Sequence, residues 1–340
     1  MRIFNLVSAL FIIVLLTACF KEDEKVTPHD PGEAATVTIE LTSDYRYQVY
    51  FDLGSGEVVS TNLKKAWDLG FECSIKGWKI ILNTSNFMLA AETGLTDFSI
   101  PLDTIGLDWK FDASSGNPDS MAIGKWVEYD TVNSLKVYTD QVYLIDRGYD
   151  ELGNLRGLRK VVFQELTDSS YTLRFAGLDG SNESTFTVTK DPSVNYMCFS
   201  FDEGGKQLNL EPPRPDWDLI FTQYTTLLYT NEGDPYPYLL TGVLSNPTGV
   251  VVARDTLYDF ASIDLETAQG MVYSGALDEI GYDWKDVVGD VSSGNVSYVI
   301  VPGLNYVVRD RDGYHYKLRF TSFYSNSGEK GYPTFEYQRL

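Results

Sequence analysis

Trp-Asp-Leu-x-Phe is written twice in this chain, in KAWDLGF at residues 65–71 and in PDWDLIF at residues 215–221. Both segments read as β-strands, and the echo extends on either side of them. YFDLGSGEV from Tyr50 is answered by SFDEGGKQL from Ser200, and TIGLDWKF from Thr104 by EIGYDWKD from Glu279. VYLID from Val142, followed by RKVVF from Arg159, is answered by NYVVRD from Asn305, followed by YKLRF from Tyr316. Four blocks in one order, with only the spacers changed, indicate an internal duplication. The chain must therefore close one set of strands twice, and the repeat places one domain at 37–190 and its copy at 191–340.

The rest of the pattern is β almost throughout. Short runs rich in Val, Ile, Tyr, Phe and Thr are bounded by Gly, Asp, Asn and Ser, the signature of antiparallel sandwiches or barrels. VVRDRDGYHYKLRF, residues 307–320, is the clearest hairpin, with Asp312-Gly313 as its turn. Tyr314, Tyr316, Leu318 and Phe320 are expected to face the core, with His315, Lys317 and Arg319 on the wet face. The best helix candidate is DLETAQGMVYSGALDEIG from Asp264. The expected fold is all-β, with two tandem antiparallel β-sandwich domains.

Ahead of them, residues 1–18 read as a secretory signal: one cation at Arg2, an apolar run from Ala9 to Leu16, then small residues closing on Cys19. The run is too short and wrongly flanked for a spanning helix. Leu16-Thr17-Ala18-Cys19 resembles the bacterial lipobox, which makes Cys19 the lipidated first residue of the mature protein and the lipid its sole membrane attachment. Residues 19–36 read as an acidic, Pro- and Gly-containing tether. Its opening Lys-Glu-Asp-Glu resembles the surface-export signal of Bacteroidota lipoproteins. Residues 1–18 hold one cation and no acid, so the mature balance is 26 Lys and Arg against 48 Asp and Glu, or −22. Charge of that sign repels nucleic acid and anionic lipid. Beyond Cys19 only Cys73 and Cys198 remain; they either pair or stand as two separate buried thiols.

On a regular strand Trp67, Leu69 and Phe71 share one face and Asp68 takes the other, and the same holds for Trp217, Leu219, Phe221 and Asp218. The tryptophans are expected to anchor the two cores and the carboxylates to receive backbone or hydroxyl donors.

The Trp-Asp strand, the long variable region after it and a closing strand pair ending YHYKLRFTSFYSNSGEKGYPTFEYQRL resemble the HmuY family of Bacteroidota haem-binding lipoproteins. Residues 306–337 carry the most specific part. The first copy departs from the pattern: it inserts GYDELGNLRG into the hairpin and lacks the GYPTFEY ending. The resemblance implies an all-β fold and a haem-capturing role at the outer-membrane surface. It also implies iron held between two axial side chains, both His or both Met, from the region after the Trp-Asp strand.

Two histidines are present, His29 in the tether and His315 on the polar face of the closing hairpin, so counting excludes a bis-His site within one domain. Met88 and Met121 lie in polar loops of the first copy and are the candidate axial ligands. Met271 is the candidate in the second copy, and Met197 reads as core. A thioether is a soft, neutral ligand that favours ferrous haem and needs no deprotonation. Lys125 or Arg147 could meet the haem propionates.

An enzyme is not expected. Without a usable His there is no Ser-His-Asp or Cys-His arrangement and no HExxH, and Asp310-Arg311-Asp312-Gly313 lacks the remaining ligands of a calcium loop. The function expected is binding of haem or a related tetrapyrrole for delivery to an outer-membrane transporter. The alternative is an extracellular glycan-binding or adhesive lipoprotein that stacks Tyr and Trp on sugar rings.

Overall fold

Period-two alternation carries most of the chain into strands, with Gly, Asp and Asn supplying the reversals. The computed structural model describes residues 31–130, 135–290 and 295–340. The signal sequence, Cys19 and the acidic run after it lie outside the described residues. Twenty-two strands, β1 to β22 in chain order, are described with one short α-helix, and every strand pair is antiparallel. Among the described residues no helix is long and apolar enough to cross a membrane. The all-β expectation holds.

Two sandwiches are built. In lobe A a four-stranded sheet runs β14 (Lys206–Leu208), β13 (Tyr196–Ser200), β4 (Leu69–Glu72), β5 (Ile80–Leu82). Its five-stranded sheet runs β12 (Ser184–Thr189), β11 (Ser170–Ala176), β10 (Leu158–Leu166), β9 (Val142–Asp146), β6 (Leu89–Glu92). In lobe B the four-stranded order is β16 (Pro235–Ser245), β15 (Leu219–Tyr229), β2 (Tyr47–Asp52), β3 (Glu57–Leu63). The five-stranded order is β1 (Ala35–Thr38), β22 (Lys330–Arg339), β21 (His315–Tyr324), β20 (Asn305–Arg309), β17 (Val251–Asp255). Each lobe also carries a separate hairpin, β7 (Val127–Asp130) with β8 (Leu135–Tyr138) in A and β18 (Lys285–Asp290) with β19 (Asn295–Ile300) in B.

The sheets of the two lobes correspond strand for strand, eleven strands apart: β4 answers β15, β6 answers β17, and β9, β10 and β11 answer β20, β21 and β22. The remaining strands are exchanged. β13 and β14 lie beyond the expected boundary at residue 190 yet complete lobe A, while β1 to β3 lie before it and complete lobe B. Each core follows the exchange. Lobe A packs Leu69, Phe71 and Phe199 of one sheet against Ile145, Phe163 and Leu173 of the other. Lobe B packs Val49, Phe51 and Leu219 against Tyr306, Leu318 and Phe335. Residues 37–190 and 191–340 are thus each a repeat in sequence, whereas each packing unit draws on both, and Gly32–Leu340 forms one compact unit.

Local expectations are met unevenly. Ala35 and Thr36, read as the end of the tether, begin β1, and Gly32 N donates to Arg339 O at 3.0 Å. The expected helix shrinks to α1 (Leu265–Gln269), capped by Asp264, whose carboxylate accepts Thr267 N at 2.8 Å. Gly270 ends it, and residues 271–281 beyond run through bends, a turn and isolated bridges, with Gly281 at φ +60°. The closing hairpin forms, with Tyr316, Leu318 and Phe320 in the core. Tyr314 instead lies outside, its ring 3.7 Å from the Arg339 guanidinium. Of the polar face Arg319 is exposed as expected, whereas His315 and Lys317 are buried where residues 260–273 cross the outer side of the sheet. Lys317 Nζ donates to Ile263 O at 3.0 Å, and the His315 ring meets Tyr273 edge-on at 5.9 Å. Burial and Arg309 hold the His315 imidazole below its ordinary pKa. Cys73 and Cys198 are both free and buried.

Candidate functional site

The repeated Trp-Asp pairs are structural, in a way that strand alternation does not predict. The chain bends at Asp68, so Leu69 and Phe71 enter the lobe A core while Trp67 stays half-buried on the outer side. Trp217 likewise packs with Tyr50 and Ile220 outside the lobe B core. The tryptophans therefore do not anchor the cores, and both line the seam between the lobes. The bend is fixed by the carboxylate, which turns inward to accept a backbone N–H, Phe201 N to Asp68 at 2.8 Å and Leu53 N to Asp218 at 2.9 Å. Asp68 also accepts two bonds from Arg147 (Nε at 3.0 Å, Nη2 at 2.9 Å) and one from Ser200 Oγ at 3.2 Å. Arg156 Nη1 lies 2.8 Å from Asp68 Oδ1 without the alignment of a hydrogen bond. Arg147, bound also to Asp202 at 2.7 Å, is held between two carboxylates and does not line the cavity described below.

The candidate methionines are separated by the fold. Met88 is fully buried in the lobe A core, and Met197 joins it there. Met271 packs on the outer-face cluster of Ala253, Ile263 and Val307 in lobe B. Met121 alone lines an open cavity, of about 560 Å³, where the loop between β6 and β7 meets the end of β15.

That loop is pinned at both ends. Lys110 pairs through its backbone with Ala90 of β6. The buried Asp112 carboxylate accepts Leu82 N at 2.6 Å and Ala122 N at 2.8 Å. Burial pushes its pKa up to about 6 against these bonds. At the loop's tip Gly116 has φ +74° and lies so close to Leu277 that a Cβ would stand 2.6 Å from its Cδ1. A side chain there would be both strained and in collision. Ser114 Oγ closes the junction, bonding Thr226 Oγ1 at 3.0 Å and Asp278 Oδ2 at 2.5 Å. The cavity that results presents Trp109, Phe111 and Met121 from lobe A and Leu227 from lobe B, with Lys110 as its cation and Asp119 and Asp278 as its acids. Lys125, the other proposed propionate partner, is exposed and does not line it.

Trp109 is the residue that sequence reasoning misplaced. TIGLDWKF aligns it with Trp284, which is buried and stacked on Phe320 at 3.9 Å. The structural counterpart of Trp284 is Trp126: each is buried in its lobe's core and immediately precedes the separate hairpin, β18 or β7. Ala122-Ile123-Gly124-Lys125-Trp126 is the block that answers Glu279-Ile280-Gly281-Tyr282-Asp283-Trp284. The distance from tryptophan to hairpin could have found this; similarity of letters could not. Trp109 is freed from the core and stands half-exposed at the cavity.

The HmuY protein family model matches residues 179–337. Among solved structures the chain is similar to apo PinO from Porphyromonas gingivitis, 11% identical over 91% of this chain and 97% of that one, with a TM-score of 0.29. It is also similar to the apo HmuY analog TFO of Tannerella forsythia, 12% identical over 92% of this chain and 99% of that one, with a TM-score of 0.25. None of the curated proteins compared with the chain matches it. The resemblance carried by the Trp-Asp strand and the closing hairpin thus coincides with a family match across residues 179–337, and over those residues the chain is similar to the HmuY family.

Proposed function

We propose that the protein binds haem or a related tetrapyrrole, without catalysing a reaction, in the cavity between the β6–β7 loop and the end of β15. The observation that carries this reading is the convergence of Trp109, Phe111 and the Met121 thioether on one opening of about 560 Å³. That volume lies within the usual range of small-molecule sites, and its lining joins aromatic faces to a few polar groups. Trp109 and Phe111 would cover the ring, Met121 would supply a soft neutral ligand to iron, and Lys110 would meet a propionate. In this reading the lipid on Cys19 anchors the protein to the outer membrane with the lobes at the cell surface, and the ligand passes to an outer-membrane transporter.

Spectrophotometric titration with haem tests it. A saturable Soret shift is expected, weakened about tenfold or more in Met121→Ala, a loss of at least 1.4 kcal/mol. Met88→Ala should leave the spectrum unchanged while lowering stability by roughly 2–5 kcal/mol, since it only opens a core cavity. A Soret band indifferent to both Met121→Ala and Trp109→Ala would overturn the site.

A glycan reading is favoured by the same half-exposed Trp109 beside Ser114, Ser115 and Asp119, an aromatic face ringed by hydroxyls and a carboxylate. No haem shift, together with glycan binding lost in Trp109→Ala, is the result that would select it.

A further inference from the structure

The two Trp-Asp tryptophans stand 150 residues apart in sequence and line one cavity of about 140 Å³ between the four-stranded sheets of the lobes. Equivalent strand positions face it in pairs. Ile81 sits opposite Gly70 on β5 as Leu244 sits opposite Ile220 on β16, and Leu82 and Ser245 follow them. The walls are mainly aromatic and aliphatic, with the Tyr50 ring edge-on to Trp217 at 4.9 Å.

Most polar groups around the cavity are satisfied. Trp67 Nε1 donates to Gln48 Oε1 at 2.8 Å, and Gln48 Nε2 donates to Thr222 Oγ1 at 3.0 Å. Glu211 accepts Asn195 Nδ2 at 2.6 Å and Tyr196 N at 2.8 Å. Two groups have no partner among the described residues, Trp217 Nε1 and Ser245 Oγ, on residues only 4% and 3% exposed.

The exchange of strands explains why these two are left. Phe51 of β2 pairs with Leu219 as Phe199 of β13 pairs with Leu69, so Gln48 and Tyr196 occupy equivalent positions. Gln48 offers a carbonyl to Trp67; Tyr196, in the other lobe, has no such acceptor for Trp217. Ser245 likewise stands where lobe A has Leu82. A buried donor left unmet costs about 1–3 kcal/mol, so a guest that brings an oxygen to these groups is favoured over one that does not.

We propose that the interlobe cavity binds a small neutral aromatic molecule bearing one oxygen, of the phenol class, its ring among Tyr50, Trp67 and Trp217 and its oxygen bonded to Trp217 Nε1 and Ser245 Oγ. The size agrees: an engineered apolar cavity of about 150 Å³ in another protein holds benzene. A wholly apolar guest would leave both groups unmet, and an anion would meet the Glu211 carboxyl across the cavity. Several waters would each need two to four polar partners, more than these walls leave free.

Calorimetric titration of the full chain with phenol, benzene and benzoate tests the proposal, beside thermal melts at increasing phenol concentration. Saturable phenol binding is expected at one site, at least tenfold tighter than benzene or benzoate, with a rising Tm. Trp217→Phe should reduce phenol to the level of benzene, and Leu244→Trp, which fills the cavity, should abolish binding with the fold intact by circular dichroism. Absence of saturable phenol binding in the unmodified protein would overturn the proposal, with no variant required. So would equal affinity for phenol and benzene, or crystals soaked in phenol that show only water between the lobes.

Discussion

Asp68→Asn is expected to lower the unfolding free energy by roughly 3–5 kcal/mol, because removing one partner of a buried ion pair strands the other. Two guanidiniums, Arg147 and Arg156, would lose the fully buried carboxylate they converge on. The same substitution at Asp218 should do the opposite at neutral pH. Asp146 of β9 pairs with Leu158 as Arg309 of β20 pairs with His315, so the residue after each is equivalent: Arg147 in lobe A, Asp310 in lobe B. By the same register Ser200 is replaced by Asp52. Asp218 therefore has carboxylates where Asp68 has a cation and a hydroxyl. Burial first, then Asp52 and Asp310, push its pKa up from the ordinary 3.8 to about 7, against the stabilising bond from Leu53 N.

The sign follows from proton binding. Between pH 4 and 7, roughly, the folded chain keeps a proton on Asp218 that the unfolded chain has released, so stability falls as pH rises through this window. An amide does not titrate. The advantage of Asp218→Asn over the unmodified chain should be small near pH 4, grow toward pH 7 and then level off at a few kcal/mol. Urea unfolding at pH 4, 5, 6, 7 and 8 measures it. An advantage independent of pH, or an Asp68→Asn variant as stable as the parent, would refute this account of the two sites.

Cutting the chain where the sequence repeats should deprive each lobe of strands it needs, and cutting it where the sheets divide should not. A fragment of residues 191–340 lacks β1 to β3 and with them Ile39, Leu41, Val49, Phe51 and Leu53, all buried in the lobe B core. At about 1.5–3 kcal/mol per buried side chain, the loss is comparable with the 5–15 kcal/mol that holds an ordinary domain folded. That fragment should show no near-ultraviolet circular dichroism and no cooperative melt. Residues 64–212 contain every strand of lobe A and should fold. Lobe B should be recovered by joining Leu340 through a short linker to residues 32–63, because Gly32 N already lies 3.0 Å from Arg339 O. A cooperative melt of 191–340 alone would show that the exchanged strands are dispensable.

Much of this fold was legible in the sequence, and the part that was not has a common cause. Alternation identified the closing hairpin and placed Tyr316, Leu318 and Phe320 of β21 in the core, because burial of one face imposes period two wherever a strand is regular. It failed at Trp67, where a bend held by Asp68 turns the side chain outward, and at His315 and Lys317, where a distant segment covers a face that would otherwise be wet. The candidate ligands divided in the same way. Met88 and Met121 lie in equally polar surroundings in sequence, yet the first is core and the second lines the cavity. Trp109 was matched to Trp284 in place of Trp126, because only the hairpin that follows Trp126 marks it as the partner of Trp284.

By itself the sequence determined the strand-rich class, the repeated order of blocks, the exclusion of a bis-His site within one domain and the resemblance to the HmuY family, since each of these is local or a matter of counting. Only the tertiary structure decided that β1 to β3 complete the second lobe and β13 and β14 the first, and that both Trp-Asp tryptophans meet at the seam. The reason is physical: a strand's side-chain pattern states which face it buries, while its backbone hydrogen bonds are alike for every neighbour. The choice of neighbour, and with it the position of every cavity between neighbours, is settled by packing between residues far apart in the chain.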